Sequence, residues 1–183
     1  LLEAYRSAKN HRAFFDELHQ LQRKYRIPLA QLHVCALHLL SEKDDLELTE
    51  RLLREIPSDE RRKEVVNSTQ GQHEYTCLCR ALYAGSISLV KVLVAAGADV
   101  NFRNGHGEGL DAALASGLEA MVAAQQENRI FVEARFDECR DFLEARRRWL
   151  TEQEERQPTA SPWRPRHLRR AAQEAGEGGV ERS

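Results

Sequence analysis

The chain has 183 residues, 42% hydrophobic and 31% charged, and its 27 basic against 29 acidic side chains leave a net charge of −2. That balance argues against a chain built wholesale for nucleic acid or an anionic membrane. No apolar run approaches the ~20 residues of a membrane span. The opening "LLEAYRSAKNHR" lacks the basic segment and apolar stretch of a secretory signal. Because it begins on Leu1, the sequence reads as a processed form or the ordered part of something longer, with a targeting signal upstream still compatible.

From the N-terminus, "LLEAYRSAKNHRAFFDELHQL" predicts a helical hairpin over about 1–24, with Leu2, Tyr5, Phe14, Phe15 and Leu18 apolar and Lys9-Asn10 at the turn. A second hairpin, about 28–56, contains "CALHLLSEKDDLELTERLLREI". Leu46, Leu48, Leu52 and Leu53 make the face of its second helix, and Asp44 stands at its turn. The stretch "PSDERRKEVVNSTQGQHE" then reads as an insertion. The third hairpin, about 72–101, holds the most regular segment, "TCLCRALYAGSISLVKVLVAAGADVN". Thr76 is an N-cap, and Leu78, Ala81 and Leu82 share one helix face. Gly85 ends that helix, Ser86 caps the next, and Leu89, Val90, Leu93 and Val94 form its apolar side. Gly97 closes it, both glycines are expected in left-handed backbone, and "ADVNFRN" leaves extended. Helices this short cannot bury their apolar faces alone and need stacked neighbours.

Thr76, Leu78, Ala81, Gly85, Leu89, Val90, Leu93 and the run from Gly97 to Asn101 all fall on the pattern of the ankyrin repeat, which the segment resembles. Cys77, Cys79 and Leu82 depart from the Pro, the His and the second Ala of that pattern. A degraded copy follows at 104–126, where "EGLDAALASGLEAMVAA" sets Leu110, Ala113, Gly117, Met121 and Val122 on the positions of Leu78, Ala81, Gly85, Leu89 and Val90. That alignment predicts another hairpin, with its turn at Gly117. Upstream, Leu37-His38 and Asp44 sit like the Leu-His and the Gly of the pattern, with about eight residues inserted before the next unit. The two N-terminal hairpins, over 1–56, also resemble pentatricopeptide-type hairpins.

After residue 127, "NRIFVEARFDECRDFLEARRRWLTEQEERQ" contains no Gly or Pro and predicts one long helix over 128–157. Val132, Phe136, Cys139, Leu143 and Leu150 form a stripe that Phe142 and Trp149 widen. Its first part, with Ile130, Val132 and Phe136, is expected to pack on Met121 and Val122; its outer part, with Phe142, Leu143, Trp149 and Leu150, is expected to dock into another chain. Residues 158–183 read as an extended, Pro- and Arg-rich flexible tail, in which Trp163 stands among Arg164, Arg166, Arg169 and Arg170.

Little in the sequence points to chemistry. "NGHGEGL" lacks the G-x-G-x-x-G spacing of a nucleotide loop and reads as the hairpin tip between two units. Cys77 and Cys79, with His73 nearby, point about 200° apart on a helix; a zinc site would need Cys35, His33 and His38 to converge from another unit. No Ser-His-acid or His-Glu-x-x-His motif occurs. The four cysteines read as free thiols.

The fold expected is therefore all-α, a short solenoid of stacked helical hairpins over 1–126 followed by the long helix and the tail. The resemblance implies a non-catalytic protein–protein interaction or scaffold module, a subunit of a larger assembly, with no cofactor, metal, membrane or small-molecule substrate. The expected contact residues are Gln72, His73, Tyr75, Arg80, Tyr83, Arg103, Asn104 and His106 at the hairpin tips and first-helix face, together with the outer part of the long helix. An RNA-contacting subunit of a ribonucleoprotein, for example an organellar ribosome, is the alternative; it would use Arg146, Arg147, Arg148, Trp163 and the four tail arginines. A metal- or nucleotide-binding enzyme is the third reading. The expected location is an intracellular, reducing compartment: the cytoplasm, or a mitochondrion if an upstream signal was removed.

Overall fold

The computed structural model describes residues 1–7, 11–72, 74–124 and 129–156. The chain divides into two compact units, Leu1–Arg147 and Arg148–Ser183; of the second, the described residues are 148–156, the end of the last helix. Among the described residues there are nine helices and no named strand: α1 Leu2–Ser7, α2 His11–Tyr25, α3 Leu29–Glu42, α4 Leu46–Glu55, α5 Asp59–Asn67, α6 Cys77–Tyr83, α7 Ile87–Ala95, α8 Leu110–Ala124 and α9 Arg129–Arg156. The architecture is all-α and ankyrin-like, with a long C-terminal helix.

One local device recurs. Asp44, Gly85 and Gly97 hold φ of 57°, 64° and 97°. At each, the next residue's N–H turns back to the carbonyl five residues earlier: Asp45 to Leu40, Ser86 to Ala81, and Ala98 to Leu93, all at 3.0 Å. This closes a helix with its last carbonyls satisfied. After the first two turns a side chain opens the next helix, since Asp45 accepts from Leu48 N at 3.1 Å and Ser86 from Leu89 N at 3.5 Å. Thr76 caps α6 as its position predicted, accepting from Cys79 N. The left-handed glycines, and Asp44 in a glycine's place, are as the sequence implied.

The helices stack in two layers within the first unit. α6 packs between α3 and α8, and α4 and α7 pack together behind α3 and α6. Leu37, Leu40, Leu52, Leu78, Leu82, Leu89, Leu93 and Leu110 are fully buried where these helices meet. The insertion ahead of α6 contains a helix of its own, α5, which buries Val65 and Val66. It braces two neighbours. Arg62 Nε donates to Leu53 O at 3.0 Å, tying down the end of α4. The Asn67 amide donates to Gly97 O at 2.9 Å and accepts from Asp99 N at 2.8 Å, holding the loop after α7.

The last unit differs from expectation. Residues 104–126 do not form a hairpin: α8 runs unbroken through Gly117, which is not left-handed. A Cβ at Gly117 would lie 2.3 Å from Tyr83 O, so the glycine permits close approach of α8 to α6 and makes no turn. The second helix of this unit is the beginning of α9. It follows the direction of α7: Phe136 meets Gly85 ahead of α7, Lys91 Nζ lies 3.4 Å from Glu138, and Arg147 Nε donates to Val100 O at 3.0 Å beyond its end. Val132, Phe136, Cys139 and Leu143 are buried along that seam. Ile130, expected to pack on Met121 and Val122, is instead 84% exposed, because it lies on the opposite side of α9 from Val132.

Candidate partner-binding groove

α3, α6, α8 and α9 together open a groove of about 590 Å³ within the first unit. The end of α3 supplies Glu42, and the left-handed turn that follows supplies Asp44. α6 supplies Arg80 and Tyr83, and Ala84 follows it; Tyr75, Met121 and Arg135 complete the lining. Tyr75 is placed by an isolated antiparallel bridge to Gln70, the tip of the hairpin that precedes α6. Its hydroxyl is hydrogen-bonded to Glu108, and burial with that nearby carboxylate pushes its pKa up.

The charges are held in place. Arg80 Nε donates to His38 Nδ1 at 3.0 Å, and its Nη1 donates to Glu42 Oε2 at 3.1 Å. Because a guanidinium only donates, His38 Nδ1 is the acceptor and its Nε2–H donates to Ser68 O at 3.0 Å. Burial, with the Arg80 charge adding to it, lowers the His38 pKa to about 4 despite the opposing pull of the Ser68 carbonyl. His38 is thus a neutral ring that fixes Arg80 from behind. Arg135 Nη2 donates to Ala84 O at 3.3 Å and stands 3.9 Å from Asp44.

A second tip adjoins this one. Arg103 and Gly109 form a bridge, and Asn104 to Glu108 of "NGHGEGL" make the turn between them, the tip that the repeat alignment implied. Asn104 is 7% exposed and organises the turn: its Oδ1 accepts from His106 N at 3.0 Å and from Glu108 N at 2.9 Å. Glu74 accepts from Gly105 N at 3.1 Å, which stitches the two tips together.

Of the residues expected to meet a partner, Tyr75, Arg80 and Tyr83 come together in the groove. Gln72 and His106 are exposed at the tips, and Arg103 is exposed while donating to Gly107 O; His73 lies outside the described residues. Asn104 is a correction, since its polar atoms are turned inward to hold the turn. Leu143 is another: at 1% exposure it belongs to the seam of this chain's own core. Phe142 is half-buried, with Lys91 Nζ 6.0 Å from its ring centre, and Leu150 is half-buried. Trp149 is 46% exposed. Arg147 is anchored to Val100 O and Asp111, while Arg146 is half-buried and Arg148 exposed. Trp163, Arg164, Arg166, Arg169 and Arg170 lie outside the described residues, so the RNA reading finds no support among those described. Sequence reasoning missed Glu42, Asp44, Met121 and Arg135 as groove residues. In the sequence Asp44 and Met121 read as turn and core positions, and nothing in a single helix marks Arg135.

Residues 73–105 match a family model described as the ankyrin repeat. That segment is similar to an ankyrin repeat. No curated protein and no solved structure matches it. The matched segment comprises α6, α7 and one side of each bridged tip, so Tyr75, Arg80, Tyr83 and Ala84 of the groove belong to it. Ankyrin repeats are typically protein-interaction modules and are generally non-catalytic. Among the described residues no cluster of three or more His, Cys, Asp or Glu is arranged to hold a metal ion, and no helix is long and apolar enough to cross a membrane. Cys77, Cys79 and Cys139 are buried free thiols whose pKa values burial raises, and Cys35 is a half-buried one.

Proposed function

We propose that this chain is a non-catalytic module, a subunit of a larger assembly, that holds another protein chain in the groove between its ankyrin repeat, α8 and α9. The observation that carries the reading is the convergence of Tyr75, Arg80 and Tyr83, residue types that dominate binding energy at interfaces, on one concavity inside the segment matching the interaction family. Four free thiols fit a reducing compartment.

Cross-linking and mass spectrometry in native extract would identify the bound chain. Calorimetry with that purified chain then tests the site. Tyr75→Ala with Tyr83→Ala is expected to weaken binding by about 30-fold or more, while Gln72→Ala, at an exposed tip position, changes it little. Unaltered affinity in the double variant would place the partner elsewhere.

A further inference from the structure

The charges lining the groove neutralise one another inside this chain. Glu42 and Asp44 face Arg80 and Arg135, two acids against two bases. Arg80 is bonded on both sides, to His38 and to Glu42, and Arg135 donates to a backbone carbonyl beside Asp44. An acidic or phosphorylated ligand would meet the Glu42 and Asp44 carboxylates and would compete with Glu42 and His38 for Arg80 and with the Ala84 carbonyl for Arg135. A basic ligand would meet Arg80, Arg135 and the Lys43 that also pairs with Glu42.

The surface left to a ligand is apolar. The Tyr83 side chain is 47% exposed and Met121 half-buried in the lining. Outside the lining, Phe131 stands one turn before Arg135 on the same face of α9 and is 67% exposed. A methionine beside aromatic rings adapts its shape to different apolar groups. The volume of about 590 Å³ lies within the range of pockets that enclose ligands.

We propose that the groove takes an uncharged, apolar anchor, leucine or aromatic side chains presented by a segment of the partner protein, and disfavours acidic and phosphorylated segments, with Phe131 a further contact at the rim. This rests on the reading of the groove as a protein-docking site.

Met121 is the only methionine in the sequence, so ¹³C-methyl labelling of the full chain yields one methyl signal, and it sits in the groove. N-acetyl-leucinamide and N-acetyl-tryptophanamide serve as apolar probes; N-acetyl-aspartic acid α-amide, whose side-chain carboxylate is free, and phosphotyrosine serve as anionic ones, all at one pH and ionic strength. The apolar amides are expected to shift the Met121 signal saturably in the millimolar range, around −4 kcal/mol. The anionic probes are expected to leave it unmoved at the same concentrations. Tyr83→Ala and Phe131→Ala, each with an otherwise native spectrum, should weaken the apolar probes by about threefold or more. The proposal is overturned if the anionic probes shift Met121 at concentrations equal to or lower than the apolar ones. It is equally overturned if neither apolar amide gives a saturable shift by ~50 mM, and an unchanged response in Phe131→Ala removes that residue from the site. If the apolar amides bind but Tyr75→Ala with Tyr83→Ala leaves partner binding intact, the groove chemistry stands and the docking reading falls. If partner binding needs the groove but anions are what move Met121, the docking reading stands and this inference falls.

Discussion

Replacing Gly117 with alanine is expected to destabilise the chain, against the usual rule for a helix interior. In an exposed helix the change stabilises by about 1 kcal/mol, because alanine restricts the unfolded backbone and suits the helix. Within α8 the new methyl would lie 2.3 Å from Tyr83 O, 2.6 Å from Tyr83 Cα and 2.8 Å from its carbonyl carbon. Favourable contact with such atoms begins near ~3.5 Å, so α8 must retreat from α6 by about 1 Å. All three atoms are backbone, so no rotamer change relieves the overlap. The retreat opens the seam where Leu78, Leu82, Leu110, Ala113 and Leu114 are buried. Overpacking of this kind costs roughly 1–3 kcal/mol. With backbone on one side the upper half applies, and after the helix gain a net loss of about 1–2 kcal/mol remains. For a chain of this length that lowers Tm by roughly 2–8 °C.

The assay is thermal and urea unfolding followed by far-ultraviolet circular dichroism, with Ser116→Ala, an exposed neighbour on α8, as the control expected within ~0.5 kcal/mol of the native chain. Gly117→Asn adds a second arm. Asparagine is tolerated in a left-handed turn and would be milder than alanine there; in a close helix crossing it is larger and must be worse. A Gly117→Ala protein that melts at or above the native temperature, or an asparagine variant more stable than the alanine one, would refute the crossing.

Leu143→Ala should cost about 2–5 kcal/mol of stability, since the side chain is 1% exposed; a loss below ~1 kcal/mol in urea titration would mean α9 does not close the stack through it. His38 is expected to make stability fall with acid. Its pKa drops from 6.5 unfolded to about 4 folded, so the unfolded chain takes up the proton first, and up to about 3 kcal/mol is lost as pH falls from about 6.5 through 4. Unfolding free energies measured at pH 7 and 4.5 should therefore converge between the native chain and His38→Gln, and parallel pH dependences would contradict a neutral buried imidazole.

Much of the fold was legible because the devices that build it are local. A capping Thr76, a glycine at 85, a capping Ser86 and a glycine at 97 dictate two short helices whatever surrounds them, and each occupies its expected role. Asp44 was readable in the same way, as one of the few residues besides glycine that accepts φ of 57°. The groove was half legible for a related reason. Tyr75, Arg80 and Tyr83 lie on one repeat and could be recognised together. Met121 and Arg135 reach the same space only through the crossing of α8 and α9 over α6, a tertiary fact that no helical period encodes.

The last unit shows where the reading by matched positions failed and which physical signal would have corrected it. Gly117 matched Gly85 in register, and Met121 and Val122 matched Leu89 and Val90. A helix that ends at a left-handed residue must be restarted, and the following residue performs the restart: Ser86 after Gly85 and Asp45 after Asp44 each accept the N–H three residues ahead. Leu118 follows Gly117 and has no atom that could do this. Its neighbours, "AALAS" before and "LEAMVAA" after, are mostly strong helix formers, so nothing compels the chain to stop. The helix therefore runs on through Gly117, and the first half of α9 becomes the partner that the matched hairpin would have supplied from residues 118–126. Its stripe from Val132 to Leu143 is covered because it is the second helix of that unit. Among the described residues of α9, Ile130 and Phe131 before that stripe and Trp149 beyond it are exposed.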